Sequence, residues 1–309
     1  MNKQILHITN GHSLTNYLNE LDIKGEILTW QEMLCEGPTT EIIDSDEFFK
    51  ARKQFLLEFY DIEVNEQEFR DEIAVLNHPE TYSGIVLWFE YDLFCHVNLI
   101  AVISLLAQKH IDLPLYLVCS GRVEGEKELK GLSELTPEQL QEHYDNKITL
   151  SKEDVDLMNS LWKTYCGKDH NLFKPIMTKK SSFPYLSNCL KAHLQRFPDA
   201  KTGLSGLELN ILNILKKYDI KSKQHLLGYA LNYQGYYGYG DTQLNRIINK
   251  LSLFFETHQN NLKLNRKGHE AVLGQHNFVS ELHSNMRFGG IKKYDFQFSK
   301  TQNKLIKTV

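Results

Sequence analysis

Short apolar runs, each followed by a turn and then by a helical pattern, dominate the first 119 residues and constrain the fold more than any other feature. The four runs are Lys3–Thr9, Gly25–Trp30, Gly84–Phe89 and Leu113–Cys119. The first run leads through a glycine turn into apolar residues at helical spacing, and the third leads into a predicted helix over 92–108. Because parallel strands need a connection long enough for a helix, the pattern predicts an α/β fold, a Rossmann-like layer sandwich with a parallel sheet.

The chain has 309 residues, a length that fits two domains. After the last apolar run, Thr136-Pro137 and Ser151 are typical starts of helices, and the polar segment 197–203 separates these helices from the rest. We predict four parts, which are a Rossmann-like α/β domain (1–125), a helical extension and linker (126–200), a winged-helix domain (201–275) and a C-terminal β-hairpin tail (276–309).

The winged-helix prediction depends on the order of the elements within 201–275. Ser205 and Glu208 have the spacing of a capping box, which marks the start of a first helix. Two more helical patterns, two short strands joined by a turn, and a closing helix follow along the chain. Three helices followed by a hairpin resemble a winged helix-turn-helix domain, an α+β fold.

Charge divides the chain at about residue 200. Residues 1–200 hold 19 basic and 32 acidic side chains, whereas residues 201–309 hold 16 and 7, so the net charges are −13 and +9. The positive half either meets nucleic-acid phosphates or docks on the negative half of the same chain. Five scattered cysteines, and a sequence without a long apolar stretch, favour a cytoplasmic protein with neither a membrane span nor a secretory leader.

The third helix of the winged-helix pattern is the predicted recognition helix. Gln243, Arg246 and Lys250 are its predicted nucleic-acid contacts, because amide and cationic side chains suit base edges and phosphates. A merely solvated helix face is the alternative.

The segment 228–240 before this helix holds five tyrosines and four glycines. Its rings either stack on bases or a substrate ring, or pack against the first domain.

A ligand site is predicted where the first strand ends and the first helix begins. Residues 10–13 lie at a helix N-terminus, which favours a small anion such as a phosphate or a nucleotide, and a plain helix cap is the alternative. An arginine in the tail is predicted either to reach this anion or to form an ion pair elsewhere. The predicted ligand-binding residues are Asn10, Gly11, His12, Ser13, Trp88 and Arg287. Neither a Gly-x-Gly-x-x-Gly nor a Walker pattern occurs, which disfavours a dinucleotide enzyme or an ATPase.

The segments after the second and third strands hold the predicted catalytic residues, which are Glu32, Glu36, Asp92 and His96. Carboxylates and an imidazole beyond the carboxyl ends of strands suit metal binding or general acid–base catalysis. Asp92 and His96 also lie four apart on one helix face. The alternative is structural, with Asp92 as a helix cap and His96 buried and hydrogen-bonded. The residues assign no particular metal or cofactor.

Four short motifs, spread over most of the chain, resemble the bacterial domain-of-unknown-function 1835 family. The motifs are residues 7–13 (HITNGHS), 30–38 (WQEMLCEGP), 87–94 (LWFEYDLF) and 287–290 (RFGG). The pattern of that family is commonly Gly-Asp-Ser where this chain has Gly11, His12 and Ser13, so no carboxylate role is implied at position 12. The resemblance implies the fold and the domain boundaries and carries over no catalytic residue.

The sequence therefore predicts a two-domain protein whose Rossmann-like domain binds a small anionic ligand and whose winged helix serves regulation or nucleic-acid contact. Two alternatives stay open. One is a metal-assisted hydrolase or phosphotransferase with its site at the strand carboxyl ends, and the other is a non-catalytic protein-interaction module. No specific reaction follows from the residues, and neither does an oligomeric state.

Overall fold

The computed structural model describes residues 3–308, which fold around a five-stranded sheet covered by helices. The elements of the first half are β1 (Gln4–Asn10), α1 (His12–Glu20), β2 (Glu26–Trp30), α2 (Asp46–Tyr60), α3 (Glu66–Ile73), β3 (Tyr82–Phe89), α4 (Leu93–Gln108), β4 (Leu115–Cys119), α5 (Pro137–Asp145), β5 (Ile148–Thr149), α6 (Lys152–Cys166) and α7 (Leu186–Gln195). The elements of the second half are α8 (Gly206–Lys217), α9 (Lys223–Tyr233), α10 (Asp241–Lys250), β6 (Phe255–His258), β7 (Asn261–Leu264), α11 (Arg266–Leu273), β8 (Arg287–Phe288), β9 (Ile291–Lys292), β10 (Phe296–Ser299) and β11 (Lys304–Lys307).

The central sheet has the strand order β2-β1-β3-β4-β5, with four parallel strands and an antiparallel β5. Ile8 of β1 pairs with Leu28 on one side and Leu87 on the other, and all three are buried. Strands that are buried on both faces lack polar alternation, which explains why the runs are continuously apolar. The predicted α/β architecture, a mostly parallel sheet flanked by helices, is confirmed.

Helices cover both faces of the sheet. α1 and α5 pack on one face against Val86 and Val118, whereas α4 lies on the other face, is buried along nearly its whole length, and packs on α6 and α7. The strand order reverses between β1 and β3. In open α/β sheets ligands commonly bind in the crevice beyond the carboxyl ends of the strands at such a reversal. We therefore expect a ligand site beyond the ends of β1 and β3.

Local signals place the elements of the second half in the predicted order. Ser205 and Glu208 form the capping box of α8, since the Glu208 amide donates to Ser205 Oγ (3.3 Å) and the Ser205 amide donates to Glu208 Oε2 (2.7 Å). β6 and β7 form a hairpin whose turn residues, Gln259 and Asn260, both have positive φ. Two-residue hairpin turns of type I′ require this conformation.

The tail returns to the first half. The Gly37 amide donates to the Arg287 carbonyl (2.8 Å), the Gly289 amide donates to the Gly37 carbonyl (3.0 Å), and the chain ends in the β10–β11 hairpin. One buried apolar cluster continues from β1 through α4 and α6 to α8 and α10, so the two halves share a core. Within residues 3–308 no helix combines the length and the apolar character that a membrane span requires.

Candidate functional site between the two halves

Asn10, at the carboxyl end of β1, belongs to an internal hydrogen-bond network. Its Oδ1 accepts from Asn98 Nδ2 of α4 (2.7 Å), and its Nδ2 donates to Cys95 Sγ (3.1 Å). Asn98 Oδ1 in turn accepts from the Leu34 amide (3.2 Å). These bonds join β1, α4 and the segment after β2. The hydrogen-bonding groups of the Asn10 side chain are therefore used within the protein, where they stabilise this edge of the sheet.

Gly11, His12 and Ser13 lie together at the N-terminus of α1, at the edge of a groove of about 830 Å³ that His12 lines. Gly11 has φ 95°, and the His12 amide donates to Gln31 Oε1 (3.2 Å). Ser13 is exposed, and no side chain of residues 3–308 caps the N-terminus of the helix. The groove is also lined by five carboxylates that form no ion pair with any residue of 3–308, namely Glu26, Glu63, Glu68, Asp71 and Glu72. This negative field opposes the anion that the sequence predicts here.

Trp88 and Arg287 do not join that site. Trp88 is fully buried beneath α1 and α5, where its indole N–H donates to His7 Nδ1 (3.1 Å) and its ring stacks on Tyr144. Arg287 Nη2 donates to the Gly290 carbonyl of its own turn (2.9 Å). Within residues 3–308 neither side chain makes a hydrogen bond to residues 10–13. The expectation that both contact the predicted ligand is therefore not met.

The four predicted catalytic side chains do not converge. Glu32 forms a buried ion pair with Arg52 (2.8 Å), and Glu36 forms another with Arg246 of α10 (2.6 Å). Asp92 caps α4, its Oδ1 accepting from the Cys95 amide (2.8 Å). His96 Nδ1 lies 2.9 Å from the Asp92 backbone carbonyl oxygen and is hydrogen-bonded to it. The ring is not hydrogen-bonded to the Asp92 carboxylate. Burial lowers the pKa of His96 to about 4, so this imidazole is neutral at pH 7 and the structural alternative fits both residues.

A different group of donors could hold a metal ion. Donor atoms of Glu90, Asp92 and Cys95 lie within 4.8 Å of one another, beyond the end of β3 and at the start of α4. Burial, then the Asp92 charge, raises the pKa of Glu90 to about 7, and burial raises that of the Cys95 thiol well above its usual range. Of the predicted catalytic residues only Asp92 belongs to this cluster. Sequence reasoning missed Glu90, although it directly follows the third apolar run.

The segment Gln234–Gly240, here called the tyrosine loop, packs on the start of α4, directly after β3. The carbonyls of Tyr236 and Tyr237 accept hydrogen bonds from the Leu93 and Phe94 amides (2.8 and 3.2 Å), so they occupy the N-terminus of α4. Gly238 has φ 68°, and a Cβ atom there would overlap the Asp92 carboxylate. The tyrosine loop therefore packs on the first half, whereas Tyr229 and Tyr233, earlier in the tyrosine-rich segment, pack on Tyr218 within the second half.

The predicted recognition face of α10 is turned inward. Gln243 is buried, with its Nε2 3.5 Å from Met33 Sδ, and Arg246 binds Glu36 and the Tyr60 hydroxyl. Lys250, one turn further along, donates to the Tyr294 hydroxyl. Positions i, i+3 and i+7 share one helix face, and here that face contacts the first half and the tail. The expectation that these three side chains project outward is corrected.

Six charged side chains surround a cavity of about 20 Å³ beneath this face, and we call it the interface cavity. Its charged residues are Glu36, Arg196, Glu208, Arg246, Lys250 and Lys293. Glu208 is buried and pairs with Lys293 (2.6 Å). Burial opposes ionisation of Glu208, but the charges of Lys293 and Lys250 outweigh it and lower the pKa of Glu208 to about 2.

Arg196, at the end of α7, has neutral partners. It donates to the Cys35 carbonyl, to the hydroxyls of Tyr165 and Tyr239 (3.3 Å each) and to His193 Nδ1 (2.6 Å), and its guanidinium lies 3.9 Å from the Phe288 ring centre. Burial and then the Arg196 charge lower the pKa of His193 well below its usual range, so this ring is neutral. Sequence reasoning missed Arg196, Lys293 and Tyr60, and only the opposite charges of the two halves pointed to such a contact.

No protein-family model and no curated protein matches the chain. Among solved structures it is similar to the DNA-binding, cleavage and re-ligation domain of Plasmodium falciparum topoisomerase II, with a TM-score of 0.48 and 14% identity. The similarity covers 84% of this chain and 43% of that chain, so this chain spans less than half of the matched structure's length. The resemblance to the domain-of-unknown-function 1835 family stays a prediction.

Proposed function

We propose that the protein is a cytoplasmic two-part regulator, in which residues 201–275 form a winged helix whose nucleic-acid face is closed by docking on the α/β domain. The observation that carries this proposal is that Gln243, Arg246 and Lys250, the side chains best suited to nucleic acid, are those that bind the rest of the chain. The order of three helices, hairpin and closing helix supports the winged helix. All five cysteines are free, which fits a reducing compartment.

Polar contacts add to the shared apolar core in holding the docked state closed. Glu36 and Arg246 form an ion pair in which the Glu36 side chain is 2% exposed, and the Tyr60 hydroxyl donates to the second Glu36 oxygen. Removing one partner of a buried pair costs about 3–5 kcal/mol, because a buried charge is left uncompensated. Phosphates of a nucleic acid would compete with Glu36 for Arg246, so nucleic-acid binding and docking exclude each other.

A second candidate function is metal-assisted hydrolysis or phosphoryl transfer, and the cluster of Glu90, Asp92 and Cys95 is the observation that favours it. Two carboxylates and a thiol would suit a divalent ion such as Zn²⁺. The tyrosine loop covers this cluster through Gly238. In this second function opening of the interface would therefore expose the metal site as well as α10.

Gly238→Ala tests the first proposal, because a methyl group there would overlap Asp92 and displace the tyrosine loop. Gly235→Ala is the matched control, since Gly235 has nearly the same φ, 69° against 68°, with open space around its Cβ position. We expect Gly238→Ala to have a larger radius of gyration by small-angle scattering. It should also bind a fluorescent duplex DNA at least tenfold more tightly than wild type or Gly235→Ala, with a steep dependence on salt.

Glu36→Lys gives an independent way to open the interface, because it places two cations together where an ion pair stood. If either variant expands and yet binds duplex DNA no better than wild type, the nucleic-acid proposal is wrong. The third reading, a protein-interaction module, would then account for the exposed face. Zinc titration of the opened variants, with Cys95→Ser as the control, examines the second candidate in the same preparations.

A further inference from the structure

The interface cavity has more positive than negative charge, and we infer that it binds a small anion that holds the two halves together. The class of ligand is a small inorganic anion, chloride or phosphate, accepting hydrogen bonds from guanidinium and ammonium groups. This inference rests on the proposed docking function, because the cavity exists only where α10 and the tail meet the first half.

The charge balance of the cavity is the first step. Arg246 is paired with Glu36 and Lys293 is paired with Glu208, each at 2.6 Å. The two remaining cations, Arg196 and Lys250, form no ion pair with a carboxylate of residues 3–308. Four cations thus face two carboxylates. Buried charges are normally paired, because an isolated one loses its hydration without compensation.

Arg196 makes this excess unavoidable. Its side chain is 2% exposed, a guanidinium stays protonated in proteins, and its partners are a carbonyl, two hydroxyls and a neutral imidazole. Its Nε is buried and has no hydrogen-bond partner in the described part of the chain. Because Arg196 lines the cavity, an anion held there would compensate this fixed charge.

Lys250 supplies the second cation, and its surroundings agree with that role. The ammonium group donates to the Tyr294 hydroxyl and faces Lys293, Glu208 and Arg246. Burial, followed by the charge of Lys293, lowers the pKa of Lys250 to about 8. A bound anion would oppose both effects, so anion binding and protonation of Lys250 should strengthen each other.

The dimensions limit the ligand. A cavity of about 20 Å³ exceeds the roughly 10–15 Å³ that a single water needs, so it accepts a group of about that size. Lys250 and Ser284 line the cavity and are only half-buried, which gives solvent a way in. Chloride is close to this size, whereas phosphate is larger and would require a side chain that lines the cavity to move. A whole nucleotide does not fit this space.

Calorimetric titration of the full-length chain at pH 7 and constant ionic strength, with sodium chloride in one arm and sodium phosphate in the other, tests the inference. We expect saturable binding in at least one arm, and the arm that saturates identifies the anion. Lys250→Met should weaken that binding at least tenfold. The matched control is Lys216→Met, which removes one exposed cation from α8 and should leave the affinity unchanged.

Two results would overturn the inference. One is the absence of saturable binding in both arms, and the other is equal affinity in wild type and Lys250→Met. The opened variant Gly238→Ala separates this inference from the proposed function. If wild type binds no anion while Gly238→Ala gains DNA binding, docking control stands and the anion site fails. If Gly238→Ala expands in small-angle scattering and still binds the anion as tightly as wild type, the site lies outside the interface and the inference fails as well.

Discussion

The groove beside α1 and the interface cavity are opposite in size and charge. The groove encloses about 830 Å³ and is lined by five carboxylates that pair with no cation of residues 3–308, whereas the cavity encloses about 20 Å³ and holds two cations in excess. A helix N-terminus and a positive-φ glycine, Gly11, mark the groove, and these are the sequence features usually associated with anions. The comparison teaches that a backbone signature typical of anion sites can lie in a negatively charged groove, so the signature alone does not establish an anion site.

Solvent screens the charges of the groove more strongly than those of the cavity. Glu68 and Asp71 in the groove are exposed, so water and salt screen them over a Debye length of about 8–10 Å. Arg196 and Glu208 in the cavity are each 2% exposed, and their interactions are screened far less. Changes of charge should therefore have large effects in the cavity and small effects in the groove.

Glu208→Gln should give the largest effect, because it removes the partner of the buried Lys293 and raises the cationic excess. We expect a loss of about 3–5 kcal/mol in the free energy of unfolding, measured by urea denaturation at pH 7. In wild type the pKa of Glu208 is lowered to about 2, so its stabilising contribution is present above its unfolded pKa near 4.5 and is lost as the pH falls towards 2.

Glu208→Gln should lack this acid-sensitive contribution. The free energy of unfolding should therefore fall less steeply in the variant than in wild type as the pH is lowered, and this difference is the decisive measurement for Glu208. A loss below about 1 kcal/mol, with an unchanged pH profile, would mean that the cavity is as well solvated as the groove.

Lys250→Met should change the free energy of unfolding in the opposite direction, so that the variant is more stable than wild type. The folded chain releases the Lys250 proton near pH 8, whereas the unfolded chain holds it to about 10.5, so wild type gains stability as the pH rises between these values. The methionine variant lacks that penalty, and in anion-free buffer at pH 7 it should be more stable by up to about 3 kcal/mol. Thermal unfolding from pH 7 to 10.5 measures both curves, and parallel curves would contradict the assigned environment of Lys250.

Much of the fold could be predicted because its signals are local. The apolar runs, the Thr136 and Ser205 caps and the order of helices and hairpin each depend on residues within a few positions of one another. The candidate site depends on contacts over far longer separations. Glu36 and Arg246 are 210 positions apart, and helical spacing defines the face of α10 without saying which surface covers it.

Burial on both faces hid a further part of the site. Trp88 and Phe89 lie in the core on opposite sides of β3. Because both faces of the strand are buried, its sequence does not alternate between apolar and polar residues, and such alternation is what would have shown which side chains face a crevice. The opposite net charges of the two halves were the one global signal of docking. That signal is a sum over about a hundred residues or more in each half, and it could not identify Glu36, Arg196 or Lys293 individually.

The smallest expected effect lies in the groove and concerns Glu68→Gln combined with Asp71→Asn. Both carboxylates are exposed, so removing their mutual repulsion should raise stability by no more than about 0.5 kcal/mol, an effect that fades with added salt. The affinity for chloride or phosphate should stay that of wild type, because the bound anion lies in the interface cavity. If this double variant instead changes anion affinity as much as Lys250→Met does, the anion binds beside α1 after all. The sequence signature would then outweigh the local charge.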